Sequence, residues 1–140
     1  MLAHHKHMIE TRRLYLFEQV FTRDLPIEAR ADKSIQFLRE LAARVWRTHG
    51  RKNLDVPKVQ CGSETSHGGL WFSYCDGYGL IVLSRVQRTV AVLLHELAHA
   101  MGYGTHGKGF VRKYVQLLVE YGKCDEGELA VALSVCNIKL

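Results

Sequence analysis

Two histidines with a glutamate between them interrupt an apolar stretch of this 140-residue chain, in the order His95, Glu96, Leu97, Ala98, His99. On a helix, positions four apart lie on one face, so both imidazoles can face a single ion. Neutral imidazole nitrogens suit Zn²⁺, which lowers the pKa of a bound water to about 7. Glu96 lies about 100° around the helix from His95, where its carboxylate can accept a proton from such a water.

The apolar surroundings of this motif distinguish it from a chance pattern. Val90 to Leu94 precede it, and Ala100 and Met101 follow it. Burying two imidazoles and a carboxylate without partners or a metal costs several kcal/mol. The alternatives to a metal site are a solvated helix face and a pair of core histidines with partners inside the protein.

A third candidate ligand follows after a short connection. Gly102 and Gly104 can end the helix and turn the chain. Such a turn would return His106 towards the ion, as the first residue of His106-Gly107-Lys108-Gly109-Phe110.

The two motifs together resemble the SprT-like zinc metallopeptidases, a family that includes the Spartan-type DNA–protein crosslink proteases. The family signature is H-E-x-x-H followed by H-G-x-x-F, and the resemblance covers about residues 56–121. It implies His95, His99 and His106 as zinc ligands and Glu96 as the general base. Six residues separate His99 from His106, and the family's zinc-ribbon tail is missing from these residues. In both respects the sequence resembles compact bacterial or phage members of the family.

The resemblance implies an α+β fold of the minimal zincin type. Its parts are N-terminal helices, a small antiparallel sheet with a hairpin, the H-E-x-x-H helix and supporting C-terminal helices. We expect one domain over residues 1–140, with the catalytic core at about 56–121. In this plan a peptide pairs with an edge strand beside the metal, and either strand of the hairpin is a candidate.

The metzincins are a second zinc family with a related signature, H-E-x-x-H-x-x-G-x-x-H. Gly102 falls at their glycine position, but His106 comes one residue too late. No Met follows Met101, so their Met-turn cannot form. The SprT-like pattern is therefore the better match.

Composition and length are those of an ordinary globular domain, with 47% hydrophobic and 24% charged residues. No apolar run reaches the roughly 18 to 20 residues that span a membrane, and the first residues lack the apolar core of a signal peptide. We expect a cytoplasmic monomer with a protein or peptide substrate. None of Cys61, Cys75, Cys124 and Cys136 forms a C-x-x-C pair, so free thiols are favoured over a Cys61–Cys75 bridge.

The basic excess lies in the first part of the chain. Residues 1–58 hold 12 Lys and Arg against 7 Asp and Glu, whereas residues 59–140 hold 7 against 7. This asymmetry is compatible with weak, sequence-independent DNA binding, and a solvated helix face explains it equally well. The candidate DNA-binding residues are Arg39, Arg44, Arg47, Arg51 and Lys52.

Apolar periodicity and turn residues predict the elements that carry the motif. We expect five helices: residues 9–21, the segment from an Asp32 cap to about His49, Val86–Met101, Phe110–Tyr121, and Glu126–Val135 with an Asp125 cap. We expect three strands, at Lys58–Cys61, Gly68–Tyr74 and Gly79–Ser84. The last two strands form a hairpin, because Asp-Gly at 76–77 is a strong turn signal.

Several other polar and aromatic residues have two interpretations. His4, His5 and His7 predict a disordered terminus rather than a metal site, and His67 is expected in a solvated loop. Aromatic residues Trp71, Tyr74 and Tyr78 either stack on substrate or pack the hairpin. The hydroxyl of Tyr103 or Tyr114 can stabilise an oxyanion, although core packing is favoured for Tyr114.

Three functions fit these residues. The first is a zinc endopeptidase in which Glu96 moves the proton. The second is a DNA-associated zinc-binding module with little hydrolytic activity, which would have no need of Glu96. The third is a zinc amidohydrolase acting on a non-protein amide, because the ligand set does not depend on the kind of amide.

Overall fold

The computed structural model describes residues 2–21, 24–62 and 73–140. Over these residues the fold is α+β, with six helices and a three-stranded mixed sheet. The chain divides into two compact units, Ala31–Gly102 and the combination of Met1–Arg30 with Tyr103–Leu140. No helix in the described ranges is both long enough and apolar enough to cross a membrane.

The first helix of the unit Ala31–Gly102 is α3 (Ile35–His49), which comes after α1 (Leu2–Phe21) and α2 (Ile27–Arg30) in the sequence. The predicted apolar stripe is buried, namely Leu38, Leu41, Ala42, Val45 and Trp46. The N-cap is Ser34, whose Oγ accepts a hydrogen bond from Phe37 N at 3.1 Å. Asp32, the predicted cap, lies too far before the helix for this role, and its carboxylate instead accepts from Arg88 Nη2 at 3.3 Å.

The sheet of this unit comprises β1 (Lys58–Cys61), β2 (Tyr74–Cys75) and β3 (Leu80–Leu83), in the order β1-β3-β2. β2 and β3 are antiparallel, as the predicted hairpin requires. β1 is parallel to β3, so the prediction of a purely antiparallel sheet is wrong. The reason is that β1 joins the opposite side of β3 from β2, and the intervening chain is long enough for a crossover.

The turn between β2 and β3 depends on one aspartate and two glycines. Asp76 Oδ1 accepts hydrogen bonds from Tyr78 N at 2.7 Å and Leu80 N at 3.0 Å. Gly77 and Gly79 have φ values of 80° and 100°, which are favourable for glycine and not for most other residues. The predicted turn is confirmed, and β2 and β3 are thereby held beside each other.

Helix α4 (Val90–Ala100) carries the H-E-x-x-H motif and contacts all of β2, β3 and α3. It begins four residues later than predicted because Thr89 is its N-cap, with Thr89 Oγ1 accepting from Val92 N at 3.2 Å. Eight of its residues are buried, and six of these are apolar, as expected of a core helix.

The second unit contains helices α1 (Leu2–Phe21), α2 (Ile27–Arg30), α5 (Lys108–Tyr121) and α6 (Glu126–Val135). Leu14 and Phe17 of α1 are buried. The prediction of a disordered His-rich terminus is wrong, because α1 includes His4, His5 and His7. No proline interrupts the chain before Pro26, so the helix predicted over 9–21 can extend to Leu2.

Helices α5 and α6 pack against each other, and α6 also contacts α1. α5 buries the predicted inner residues Phe110, Tyr114, Leu117 and Leu118. α6 has the predicted limits, and its N-cap is the predicted Asp125, whose Oδ1 accepts from Glu128 N at 2.9 Å. Most of the strand predicted at Gly68–Tyr74 lies outside the described residues.

Candidate metal centre

His95, Glu96 and His99 lie on α4, where the helix geometry brings the two imidazoles together. The two Nε2 atoms are 3.2 Å apart, and the rings meet edge to face with centroids 5.0 Å apart. His95 and Glu96 are buried, with exposed fractions of 7% and 6%, and His99 is half-buried. The predicted pairing of His95 with His99 is therefore present.

A tight turn follows the helix at Gly102. Met101 N donates to Leu97 O at 2.9 Å, and Gly102 N donates to His99 O at 3.0 Å. Gly102 has a φ of 112°, a value that a side chain at this position would disfavour. The predicted end of the helix is confirmed at Gly102.

His106 is held by a residue of α1 and by two aromatic rings of its own unit. Thr11 Oγ1 lies 3.0 Å from His106 Nδ1. The Phe110 ring meets the imidazole edge to face at a centroid distance of 5.0 Å, and Tyr15 lies at 5.9 Å. These contacts fix both the position of the ring and the environment of one nitrogen.

His95, His99 and His106 form a group that could hold a metal ion. Each offers one ring nitrogen, and these nitrogens all lie within 4.8 Å of one another. Two ligands at about 2.1 Å from a tetrahedral zinc are separated by about 3.4 Å, close to the 3.2 Å between His95 and His99. The donor set is all imidazole, which suits zinc and also other transition metals.

Cys75 on β2 is a neighbour of Glu96 that the sequence did not identify. The pKa of the Cys75 thiol is raised, chiefly by burial and also by the negative charges of Glu96 and Asp76, while a backbone hydrogen bond from Gly77 opposes the shift. β2 contacts α4. Strand β2, one of the two edge strands of the described sheet, thus lies near Glu96, the predicted general base.

The four cysteines are free. A Cys61–Cys75 bridge is excluded because these residues lie on β1 and β2, and β3 runs between those strands. Burial raises the pKa of Cys124 to about 11, with a smaller contribution from Glu128. Burial also raises the pKa of the Cys136 thiol.

The two tyrosines considered for oxyanion stabilisation occupy different environments. Tyr114 is 3% exposed and packs against the Phe110 ring at 5.7 Å, as core packing predicts. Tyr103 is half-buried, and its ring lies so close to Gly109 that a Cβ there would approach it to 3.1 Å. Tyr78 is 95% exposed at the hairpin turn, whereas His67 and Trp71 lie outside the described residues.

The five basic residues considered for DNA are all exposed, on α3 and directly after it. Arg39 also makes a hydrogen bond within the fold, because its Nε donates to Val59 O at 2.8 Å. The other four exposed basic residues considered for DNA binding are Arg44, Arg47, Arg51 and Lys52.

No protein-family model matches the chain, and neither a curated protein nor a solved structure is significantly similar to it. The SprT-like resemblance therefore rests on the sequence motifs alone.

Proposed function

We propose that this protein is a zinc-dependent metallopeptidase, with His95, His99 and His106 as the zinc ligands and Glu96 as the general base. The observation that carries the proposal is the convergence of three imidazole nitrogens within 4.8 Å. A purely structural zinc site uses four protein ligands, whereas three leave a position for water or substrate. Among the described residues the group comprises three histidines, and this number of ligands favours catalysis over structure.

The surroundings of the ligands support this role. Metal-bound histidines usually use their second nitrogen in a hydrogen bond that fixes the ring and its tautomer. His106 has such a contact, from Nδ1 to Thr11 Oγ1 at 3.0 Å, so Nε2 would be its ligand atom. The 3.2 Å separation of the Nε2 atoms of His95 and His99 is also compatible with one shared ion.

Each residue then has a defined task in peptide hydrolysis. Zinc, when bound, supplies Lewis acidity and a water of lowered pKa. Glu96 accepts the proton of the attacking water and returns it to the leaving amine. The burial of Glu96 keeps its carboxylate away from bulk solvent, which strengthens its electrostatic interactions.

β2 is the strand that we propose for substrate pairing. β3 has neighbours on both sides, whereas β2 is at the end of the described sheet and contacts α4. A peptide that pairs with β2 as an added strand would lie near Glu96, because Cys75 of this strand is close enough for the charge of Glu96 to raise the pKa of its thiol. We propose proteins as the substrates, and DNA-associated proteins among them on the basis of the sequence resemblance.

The test is hydrolysis of unstructured proteins by zinc-loaded wild type and by Glu96→Gln. Gln preserves the shape of the side chain but cannot accept the proton, so hydrolysis should fall by about 10²-fold or more. Zinc content and thermal stability should stay near those of wild type. Equal hydrolysis by the two proteins would overturn the assignment of Glu96.

The matched control is Glu40→Gln, which removes an exposed carboxylate from α3 and should leave activity unchanged. A panel of non-peptide amides, assayed with the same variants, separates the peptidase from an amidohydrolase. Cleavage of those amides alone, lost in Glu96→Gln, would retain the base and overturn peptide as the substrate.

A further inference from the structure

A cavity of about 610 Å³ lies within the unit that carries His106. His106 itself is part of its wall, together with Thr105 and Gly107. The volume is in the range of small-molecule and side-chain binding sites. A molecule in this cavity would therefore be beside a residue that we propose as a zinc ligand.

The cavity wall is strongly basic. Its charged side chains comprise four cations, Lys6, Arg13, Lys108 and Lys139, and one acid, Glu10. Lys6 is paired with Glu10 at 3.8 Å, and within the described part of the chain the other three cations have no acidic partner. A cavity with this excess of positive charge is complementary to an anionic ligand.

Lys108 lies at the N-terminal end of its helix, where a positive charge is electrostatically unfavourable. It is the first residue of α5, and the first turn of this helix contains no acidic residue. The N-terminal end of a helix favours anions and disfavours cations because of the helix macrodipole. One carboxylate already lies at this end of the cavity, because Glu10 Oε2 would be 3.1 Å from a Cβ on Gly107, the N-cap residue of α5. The Lys108 ammonium adds positive charge at the same end.

The chain after α6 closes another side of the cavity. Asn137 adopts a φ of 61°, and Ile138 N donates to Leu133 O at 2.9 Å. This reversal at the end of α6 brings Ile138 and Lys139 to the cavity wall, where Val111 provides a buried apolar surface. The cavity therefore combines apolar surface with converging cations.

We propose that this cavity binds an acidic segment of the polypeptide substrate, with Asp or Glu side chains next to Lys108, Arg13 and Lys139. The inference rests on the proposed function, because His106 is what links the cavity to the site of cleavage. Nucleic acid is the less suitable occupant. Single strands are usually bound by stacking on aromatic residues, and no Phe, Tyr or Trp of the described residues lines this cavity.

Binding is measured with the full chain carrying Glu96→Gln, loaded with zinc, so that the peptide is not consumed. The probes are a labelled Glu-rich peptide, its Gln-rich counterpart of equal length, and a labelled single-stranded oligonucleotide. We expect tighter binding of the Glu-rich peptide. Adding Lys108→Glu should weaken that binding about three- to tenfold, the scale of losing one exposed ion pair and introducing a repulsion.

Arg112→Glu is the matched control, since it reverses an exposed charge on the same helix outside the cavity. It should leave the preference for the Glu-rich peptide intact. Lys108→Glu also favours the helix dipole, so its effect cannot be attributed to loss of α5. Equal affinity for the two peptides would overturn the inference, as would oligonucleotide binding that is lost in Lys108→Glu without any preference for the Glu-rich peptide.

Cleavage by wild type distinguishes this inference from the proposed function. Cleavage of both peptides with equal kcat/KM overturns the acidic preference and leaves the peptidase intact. Preferential binding of the Glu-rich peptide to the Glu96→Gln chain, with no cleavage by wild type, supports the anion site and overturns the peptidase.

Discussion

Thr11 Oγ1 lies 3.0 Å from His106 Nδ1, although 95 residues separate the two in the sequence. This contact joins α1 to the segment that leads into α5, within one compact unit. In the proposed zinc site, Nδ1 of His106 would donate its proton to Thr11 Oγ1 and Nε2 would face the ion. Thr11 is then a positioning residue that acts through His106.

Thr11→Val should lower zinc affinity about tenfold or more, the usual effect of losing a hydrogen bond behind a metal ligand. Valine keeps the branched shape and removes the hydroxyl. Thr11→Ser keeps the hydroxyl and should restore the affinity. Competition against a chelating dye measures these values, and a valine variant as tight as wild type would show that Thr11 has no such role.

The thiol of Cys75 reports on the charge of Glu96. Burial and the nearby carboxylate raise its pKa, so it should be alkylated slowly near neutral pH, where the thiolate is scarce. Glu96→Gln removes one negative charge, lowers the pKa of Cys75 and should speed its alkylation. Mass spectrometry after iodoacetamide treatment measures the rate, with Cys61 as the internal control. An unchanged rate at Cys75 would contradict the closeness of β2 to Glu96.

The stability of the fold should fall as the pH rises from 9 towards 11 because of the Cys124 thiol. Its pKa is raised to about 11 in the folded state from the ordinary value of 9.0, so the folded protein retains a proton that the unfolded chain loses. The stabilisation from this thiol is full below pH 9 and is lost as the pH rises towards 11. Thermal melts of wild type and Cys124→Ala should show a shallower pH dependence for the alanine variant over this range. The same pH dependence of the melting temperature in both proteins would contradict the raised pKa of Cys124.

DNA binding, if the basic face of α3 provides it, depends on exposed side chains. Reversing Arg44 and Arg47 to Glu should weaken binding of labelled single- and double-stranded DNA, and binding by wild type should fall steeply with salt because counterions are released. Arg39 is left unchanged, since its Nε contact with Val59 O supports the fold. Fluorescence anisotropy at two salt concentrations is the measurement. If wild type does not bind DNA at low salt, the prediction of DNA binding is wrong and the proposed peptidase activity is unaffected.

Local signals in the sequence were sufficient for several elements. Asp125 predicts the start of α6 because its side chain can cap the helix, and the hydrogen bond to Glu128 N is present. The stripe of α3 follows from helical periodicity. The four-residue spacing of His95 and His99 likewise predicts that their rings meet, since it depends only on helix geometry.

Contacts between residues that are far apart in the sequence could not be predicted from local patterns. The direction of β1 relative to β3 depends on the course of the chain between them, so the pleat and periodicity of β1 do not reveal it. Thr11 has no local signal, because its role depends on a partner 95 residues away. The position of Cys75 beside Glu96 likewise follows from the packing of β2 on α4.

The most direct test of the central claim is the zinc content of the purified 140-residue chain. His4, His5 and His7 are replaced by Ala in every sample, so that the terminal histidines cannot contribute metal. The proposed site predicts one zinc per chain, since three neutral imidazoles provide a complete set of protein ligands for a catalytic ion.

The decisive variants are His95→Ala with His99→Ala, and His106→Ala alone, with His49→Ala at the end of α3 as the control. Elemental analysis should show almost no zinc in the double variant and one zinc per chain in the control. Competition against a chelating dye should show zinc binding about tenfold weaker or more in His106→Ala. A zinc content near zero in the parent chain, or one that survives the loss of His95 and His99, would contradict the assignment of this site.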